Sequence, residues 1–523
     1  MNFNKKLAVA VSGAVLLMAG QFALADSATD IVDALVSKGV LTEEEGKLIT
    51  KGHTSKTSVT PVVKEKDGSF TLESANGRNS ISLTGRMHLD ARWNDAYEDG
   101  RGNDRDTASL SDQFELRRAR LGVKGKFAND FKYEVVGNLP GTATIDVAFL
   151  DWAKLDAFQL RMGKFKQPFG LEQLTSSNNI GLMERSYVDQ TVPGKKLGLQ
   201  VMGSPKAGFT YALSTYQNRD TELDIAGGDR ASGAARGTIN FAEIMGNKES
   251  IMHVGMAVSE DSYTIGTSSS SQTNTTISAN ATQRGTISSF RTPGRGMNNI
   301  FRGQVNGMQC QVATNNAGVQ CASEFSATVR QQAYGLEGIY ASGPFKLVGE
   351  YSKSDYRGNG LDITFTNGGS NEVSYDTKTY YVEAGWFITG EKYASSYKNG
   401  TFSSFKPSNE FDLDKGNWGA VEALFRFEGY EVDDVKITQE GAASSSGGRV
   451  QGSLSGTATN GGVTSGAKTY TGGIRWILNP NVVVKGNYSY TKFDNAFAPI
   501  DVTGATASIK DEKLLTFRTQ FMF

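Results

Sequence analysis

The sequence predicts an all-β chain, a transmembrane antiparallel barrel of about sixteen strands, and three features carry that reading. Apolar and polar residues alternate with period two from Ser80 onward, and no second set of elements is available to cover so many apolar faces. Short connections alternate with long polar ones, as an up-and-down membrane barrel requires. The ends fit as well: Lys5 and Lys6 precede an apolar run, Leu7–Met18, and Ala23-Leu24-Ala25 follows, while the chain closes on Phe521-Met522-Phe523. The leader reads as a secretory signal peptide over 1–25, so the chain leaves the cytoplasm. A terminal strand ending on an aromatic residue suits a barrel of the bacterial outer membrane. A large soluble β-sandwich or propeller is the competing fold.

Composition agrees. Only 38% of the residues are hydrophobic and the mean hydropathy is -0.36, so no membrane helix is expected beyond the leader. Sixty glycines against ten prolines, with 10% aromatics, suit many extended strands. The formal net charge of -1 becomes -3 without Lys5 and Lys6, which gives no reason to expect a nucleic-acid partner.

The segment 26–79 reads as a small helical unit and a linker. Ile31, Val32, Leu35 and Val36 share a helical face, Gly39 breaks it, and Thr42 with Glu45 forms a capping box for a second short helix. A polar stretch through Thr54, Ser58 and Pro61 follows. The unit is expected in the periplasm, either as an oligomerisation or wall-contacting element or as a tether.

From 80 to 523 the pattern is that of strands. In the first, Ile81, Leu83, Met87, Leu89, Ala91 and Trp93 alternate with Ser82, Thr84, Arg86, His88, Asp90 and Arg92. The second, FELRRARLGVKG over Phe114–Gly125, changes phase: Phe114 and Leu116 lie on one parity and Ala119, Leu121 and Val123 on the other. A β-bulge at Arg117 and Arg118 accounts for this and could turn both arginines to one side. Alternation recurs in 131–139, 145–155, 158–165, 197–203, 209–216, 236–241, 252–258, 334–340, 345–351, 380–388, 421–429, 470–478, 482–490 and 515–523. Short turns are expected at Asn129-Asp130, Ser204–Ala207, Gly246–Glu249, Ser342-Gly343 and Asn479–Asn481.

Three stretches carry a resemblance: FELRRARLGVKG; GKFKQPFGLEQLTSSNNIGLMERSYVDQTVPGKKLGLQ over Gly163–Gln200; and WFITGE over Trp386–Glu391. Together they resemble the phosphate-selective porin O and P family, and the likeness covers nearly all of the chain after the leader. The resemblance implies a sixteen-stranded trimeric outer-membrane channel for small anions, with the loop after the fifth strand folded inward as a constriction. It further implies an anion site made by Arg117, Arg118 and Arg185, with Ser176 as hydroxyl donor and Asp146 facing the anion. Gln173 stands where the family places a lysine, and Arg120 and Lys166 where it places aromatics. One cation is lost and two are gained nearby, which preserves anion preference and puts selectivity for phosphate in question. Arg284, Arg291, Arg295 and Arg302, punctuating a Ser/Thr/Gly-rich loop, resemble the family's arginine ladder; the alternative is four solvated surface arginines.

The chemistry of these residue types supports the role. Arginine offers a planar fork of donors matched to phosphate oxygens and stays charged at any workable pH. Cys310 and Cys321, close together in an exported chain, form a candidate disulfide. His53, His88 and His253 are too scattered for a metal site, and no cofactor is implied. Ser176 and Ser177 have no nearby histidine to complete a nucleophilic triad. The expected function is passive diffusion of small anions, phosphate or polyphosphate, with small inorganic anions and outer-membrane lipid as partners. A weakly selective diffusion porin and a structural or adhesive barrel are the alternatives.

Overall fold

The structure is a computed structural model that describes residues 32, 35–38, 40–48, 60–66, 69–98, 112–217, 231–268, 282–298, 300–312, 319–321, 324–359, 371–439, 449–450, 464–497 and 509–523. The proposed signal peptide lies outside them. Sixteen strands make the barrel: β1 Ser80–Glu98, β2 Gln113–Phe127, β3 Phe131–Asn138, β4 Thr144–Leu155, β5 Phe158–Lys166, β6 Lys195–Gly203, β7 Phe209–Tyr216, β8 Ser232–Asn240, β9 Ser250–Ser268, β10 Glu324–Ser342, β11 Phe345–Asn359, β12 Asn371–Phe387, β13 Ala420–Gln439, β14 Gly466–Ile477, β15 Val482–Phe497 and β16 Ile509–Met522. Each pairs antiparallel with the next, and β16 returns to β1 with Leu515 opposite Trp93 and Gln520 opposite His88. Closure leaves no strand edge to meet lipid.

Burial runs opposite to that of a soluble sheet. On β16 Leu515, Phe517 and Phe521 are exposed, while Glu512, Thr516, Arg518 and Gln520 are buried. On β14, Tyr470 and Ile474 face out and Thr469, Thr471 and Arg475 face in. Apolar outside and ionic inside is stable only when lipid surrounds the wall and water or polar protein fills the centre. Aromatic contacts such as Tyr334–Tyr351 and Tyr380–Phe427–Tyr470 lie on the outer face.

All sixteen segments picked out by alternation are strands. Several extend further, β9 to Ser268 and β10 back to Glu324, because their outer turns carry polar residues on both parities and lose the signal while keeping their pairing. The expected bulge is present: His88 pairs with Arg118 and Leu89 with Leu116, leaving Arg117 as the extra residue. The capping box also forms, Thr42 Oγ1 accepting from the Glu45 N–H at 3.2 Å and Glu45 from the Thr42 N–H at 2.9 Å.

Two expectations are corrected. The stretch 62–73 is not only linker: Val62–Lys66 and Ser69–Glu73 make a hairpin that pairs with the start of β1, Leu72 opposite Ile81. The segment 388–419 leaves on the side of the short turns yet is long. It folds back under the barrel through a 3-10 turn, Tyr393–Ser396, and a two-stranded pairing, Tyr397–Lys398 with Thr401–Phe402. Phe387, Tyr393 and Phe405 stack there, and Tyr393 Oη donates to Glu422 at 2.6 Å. Other anchors lie on strands distant in sequence, as Arg236 on β8 donating to the Gly400 carbonyl, and local pattern gave no sign of them.

Gly163 on β5 has φ +131°, and a Cβ there would meet the Ala148 carbonyl oxygen at 2.2 Å. Gly163→Ala should destabilise the barrel by about 1–3 kcal/mol, read as a lower urea midpoint in detergent.

Candidate functional site: an anion constriction

The loop 167–194, between β5 and β6, folds into the lumen and hangs from the opposite wall. Its helix Leu171–Leu174 is capped from β11: Glu350 accepts the N–H groups of Leu171 and Glu172 at 2.8 and 2.7 Å. Arg426 on β13 binds Glu172 at 2.5 Å and Glu383 at 2.6 Å. Glu428 accepts the Tyr187 N–H at 3.1 Å. Lys485 and Arg475 donate to loop carbonyls, Lys485 to Ile180 at 2.7 Å and Arg475 to Asn179 at 3.2 Å. Loop carbonyls without neighbours in a helix or sheet thus find donors on the far strands.

Because the loop leans on β11–β16, open space remains against β1–β8. That cavity has a volume of about 1330 Å³. Its lining contains the cations Arg86, Arg118, Arg120, Lys132, Arg161, Lys166, Arg185, Lys195, Lys206, Arg236 and Lys398 against the carboxylates Glu134, Asp146, Asp151, Asp156 and Asp189. The cation excess decides the sign of the ion such a space favours.

The structure gathers the expected residues, in two groups. Arg118, Arg120, Asp146, Lys166, Gln173, Ser176 and Arg185 all line the cavity. Asp146 is shared by Lys195 at 2.5 Å and Arg120 at 3.0 Å. Arg86 reaches the hydroxyls of Ser176 at 3.3 Å and Ser177 at 3.0 Å. Lys166 donates to the carbonyls of Leu174 and Thr175, and Arg185 to those of Glu172 and Thr175, so both are held at the C-terminal end of the short helix.

Arg117 is placed differently. With Arg118 and Arg518 it surrounds Glu184, and it is not among the residues lining the cavity. Burial would raise the Glu184 carboxyl, but Arg518, Arg118 and Arg117 hold it well below the usual carboxylate range. His88, between Arg118 and Asn178, is buried at the same level.

Of the loop arginines, Arg291 and Arg295 are described in full. The Arg291 backbone is tied to the constriction loop, donating to Gln190 at 2.9 Å and accepting from it at 3.0 Å. Arg295 lies 4.0 Å from Glu115, and burial together with Arg117 and Arg291 lowers its guanidinium to about 10, still charged at neutral pH. The side chains of Arg284 and Arg302 lie outside the described residues. So do those of Cys310 and Cys321, whose backbones stand directly opposite each other in an antiparallel pair.

Sequence reasoning missed Arg86, Arg161 and Lys195. Arg86 could have been found, since it shares the lumen parity of His88 and Asp90. Arg161 is spent on Asp151, which it grips with both arms of its fork at 2.7 and 2.8 Å. Among the described residues no cluster of His, Cys, Asp and Glu is arranged to hold a metal.

Comparisons with known proteins give the geometry its context. A sequence model described as phosphate-selective porin O and P matches residues 81–523. Porin O of Pseudomonas aeruginosa is 23% identical over 444 residues, 83% of this chain and 87% of that one. Among solved structures, the trimer form of Vibrio cholerae OmpT has a TM-score of 0.44 at 8% identity, covering 85% of this chain and 99% of that one. An anion-selective porin from Comamonas acidovorans has a TM-score of 0.42 at 11% identity, covering 85% of this chain and all (100%) of that one. With the family matched across the whole barrel, the chain belongs to the phosphate-selective porin O and P family and is an integral porin of the bacterial outer membrane, a channel for the diffusion of anions.

Proposed function

We propose that this porin passes small inorganic anions, phosphate or polyphosphate, through the constriction formed by the loop 167–194. The observation that carries the reading is the convergence of Arg86, Arg120, Lys166, Arg185 and Lys195 on one stretch of cavity wall beside Ser176 and Gln173. One cation about 4 Å from an anion contributes roughly 4 kcal/mol at an effective dielectric near 20, before desolvation is subtracted. Several such contacts offset much of the lost hydration and leave the modest affinity that conduction needs. The series Arg284, Arg291, Arg295 and Arg302 is read, on the family resemblance alone, as the approach to this constriction.

Planar-bilayer recording tests this. Reversal potentials should report anion preference, and phosphate should block chloride current at millimolar concentration. Arg118→Ala should raise the half-blocking phosphate concentration several-fold without preventing barrel assembly; an unchanged block removes Arg118 from the path. A weakly selective porin is the second reading, favoured by charged Arg120 and Lys166 at positions where aromatic narrowing is absent. Current carried mainly by cations would exclude both.

A homotrimer in outer-membrane lipid is part of the proposal. β3 has only 8 residues, about 26 Å at 3.3 Å each, and a tilt near 45° reduces its height below the roughly 25 Å apolar band. A wall that short is best covered by neighbouring copies. The proposed export signal over 1–25, the helical segment and linker over 26–79 and the barrel over 80–523 complete the organisation.

A further inference from the structure

We infer that Glu184 is a specificity-determining residue, a built-in anion that occupies the arginine cradle and confines the permeant ion to the cationic wall beside it. The inference rests on the anion-channel reading above.

The geometry is that of a bound oxyanion. Arg117 grips Glu184 with both arms of its fork, Nε at 2.9 Å from Oε1 and Nη2 at 3.2 Å from Oε2. Arg518 Nη2 donates to Oε1 at 2.6 Å, and Arg118 Nη2 stands 3.7 Å from Oε2. Both carboxylate oxygens are therefore engaged, and the residue's side chain is only 9% exposed. The bulge that turns Arg117 and Arg118 to the same side has built this cradle, so the occupant is as deliberate as the donors.

Placement on the loop makes the competition effective. Glu184 is tethered, because Arg518 also donates to the neighbouring Met183 carbonyl and Arg426 to the Glu184 carbonyl at 3.3 Å. A tethered group competes at an effective concentration set by its linkage, whereas a permeating anion arrives at its bulk concentration. Three guanidinium groups open to the lumen would hold a phosphate long enough to stop conduction. With Glu184 in place, only the cavity face of Arg118 and the wall around Arg86 and Lys195 are offered to the ion, and binding stays transient.

The test is Glu184→Gln in planar bilayers beside the wild type, with inorganic phosphate as blocker of chloride current. The half-blocking phosphate concentration should fall about tenfold, equivalent to about 1.4 kcal/mol. Should the uncompensated arginines prevent E184Q from assembling, the double variant E184Q/R518Q removes one charge of each sign and should also bind phosphate more tightly than the wild type. An unchanged or weaker block in whichever of these assembles overturns the inference. A wild-type channel that prefers cations would instead overturn the anion-channel reading, whatever Glu184 does.

Discussion

Arg426→Met is expected to release the constriction. Arg426 is 2% exposed and is the point where three carboxylates meet: Glu172 from the loop, and Glu383 and Glu428 from the wall. Methionine fills most of the volume but leaves the acids facing one another. Removing one partner of a buried ionic network typically costs about 3–5 kcal/mol, because the remaining charges are neither solvated nor paired. Lys346 still holds Glu383 at 2.9 Å, so the cost falls mainly on the Glu172 contact, which is the loop's own anchor. Single-channel conductance should rise, the open-channel noise should increase, and phosphate block should weaken. Unchanged conductance would mean that the Glu350 cap and the Lys485 and Arg475 contacts hold the loop without Arg426.

That outcome separates two jobs the lumen side chains perform. The strands β11–β16 spend ionic residues on the loop, as Lys485 does with the Ile180 carbonyl at 2.7 Å and Arg518 with Glu184 at 2.6 Å. Strands β2 and β5 instead pair several of theirs along the cavity wall, Arg120 with Asp146 at 3.0 Å and Arg161 with Asp151 at 2.7 Å. The cavity lies off centre, against β1–β8, for this reason.

Much of this was legible in the residues. Period-two alternation found every barrel strand, because lipid on one side and polar lumen on the other enforce it at each turn of the wall. The phase change at Arg117 disclosed the bulge. What alternation cannot show is partnership across the lumen. Glu184 and Arg518 lie 334 residues apart, and nothing around Met183-Glu184-Arg185 says that its glutamate neutralises the arginine pair that the motif assigns to an anion. The fold of 388–419 was hidden likewise: Arg236 donates to the Gly400 carbonyl at 2.8 Å and His253 pairs with Tyr397 Oη at 2.7 Å, contacts between segments with no shared periodicity.

Reversing charge beside Asp146 should convert the channel to cation preference. In the variant Arg120→Glu/Lys195→Glu, both partners of Asp146 become acids, so a site of two cations and one anion becomes three carboxylates. Neither substitution touches the loop's anchors on β11–β16, and both positions are on the cavity side, so the barrel should assemble. At about 4 Å each charge changes the potential felt by a passing ion by roughly 4 kcal/mol at an effective dielectric near 20, and screening by mobile salt reduces this. Even a quarter of that, from two reversals, shifts the anion-to-cation permeability ratio by more than tenfold. The reversal potential in a salt gradient should therefore change sign, and phosphate block should disappear. Retained anion preference would locate the selecting field elsewhere, at Arg185 and Lys166 on the loop side or at Arg291 and Arg295.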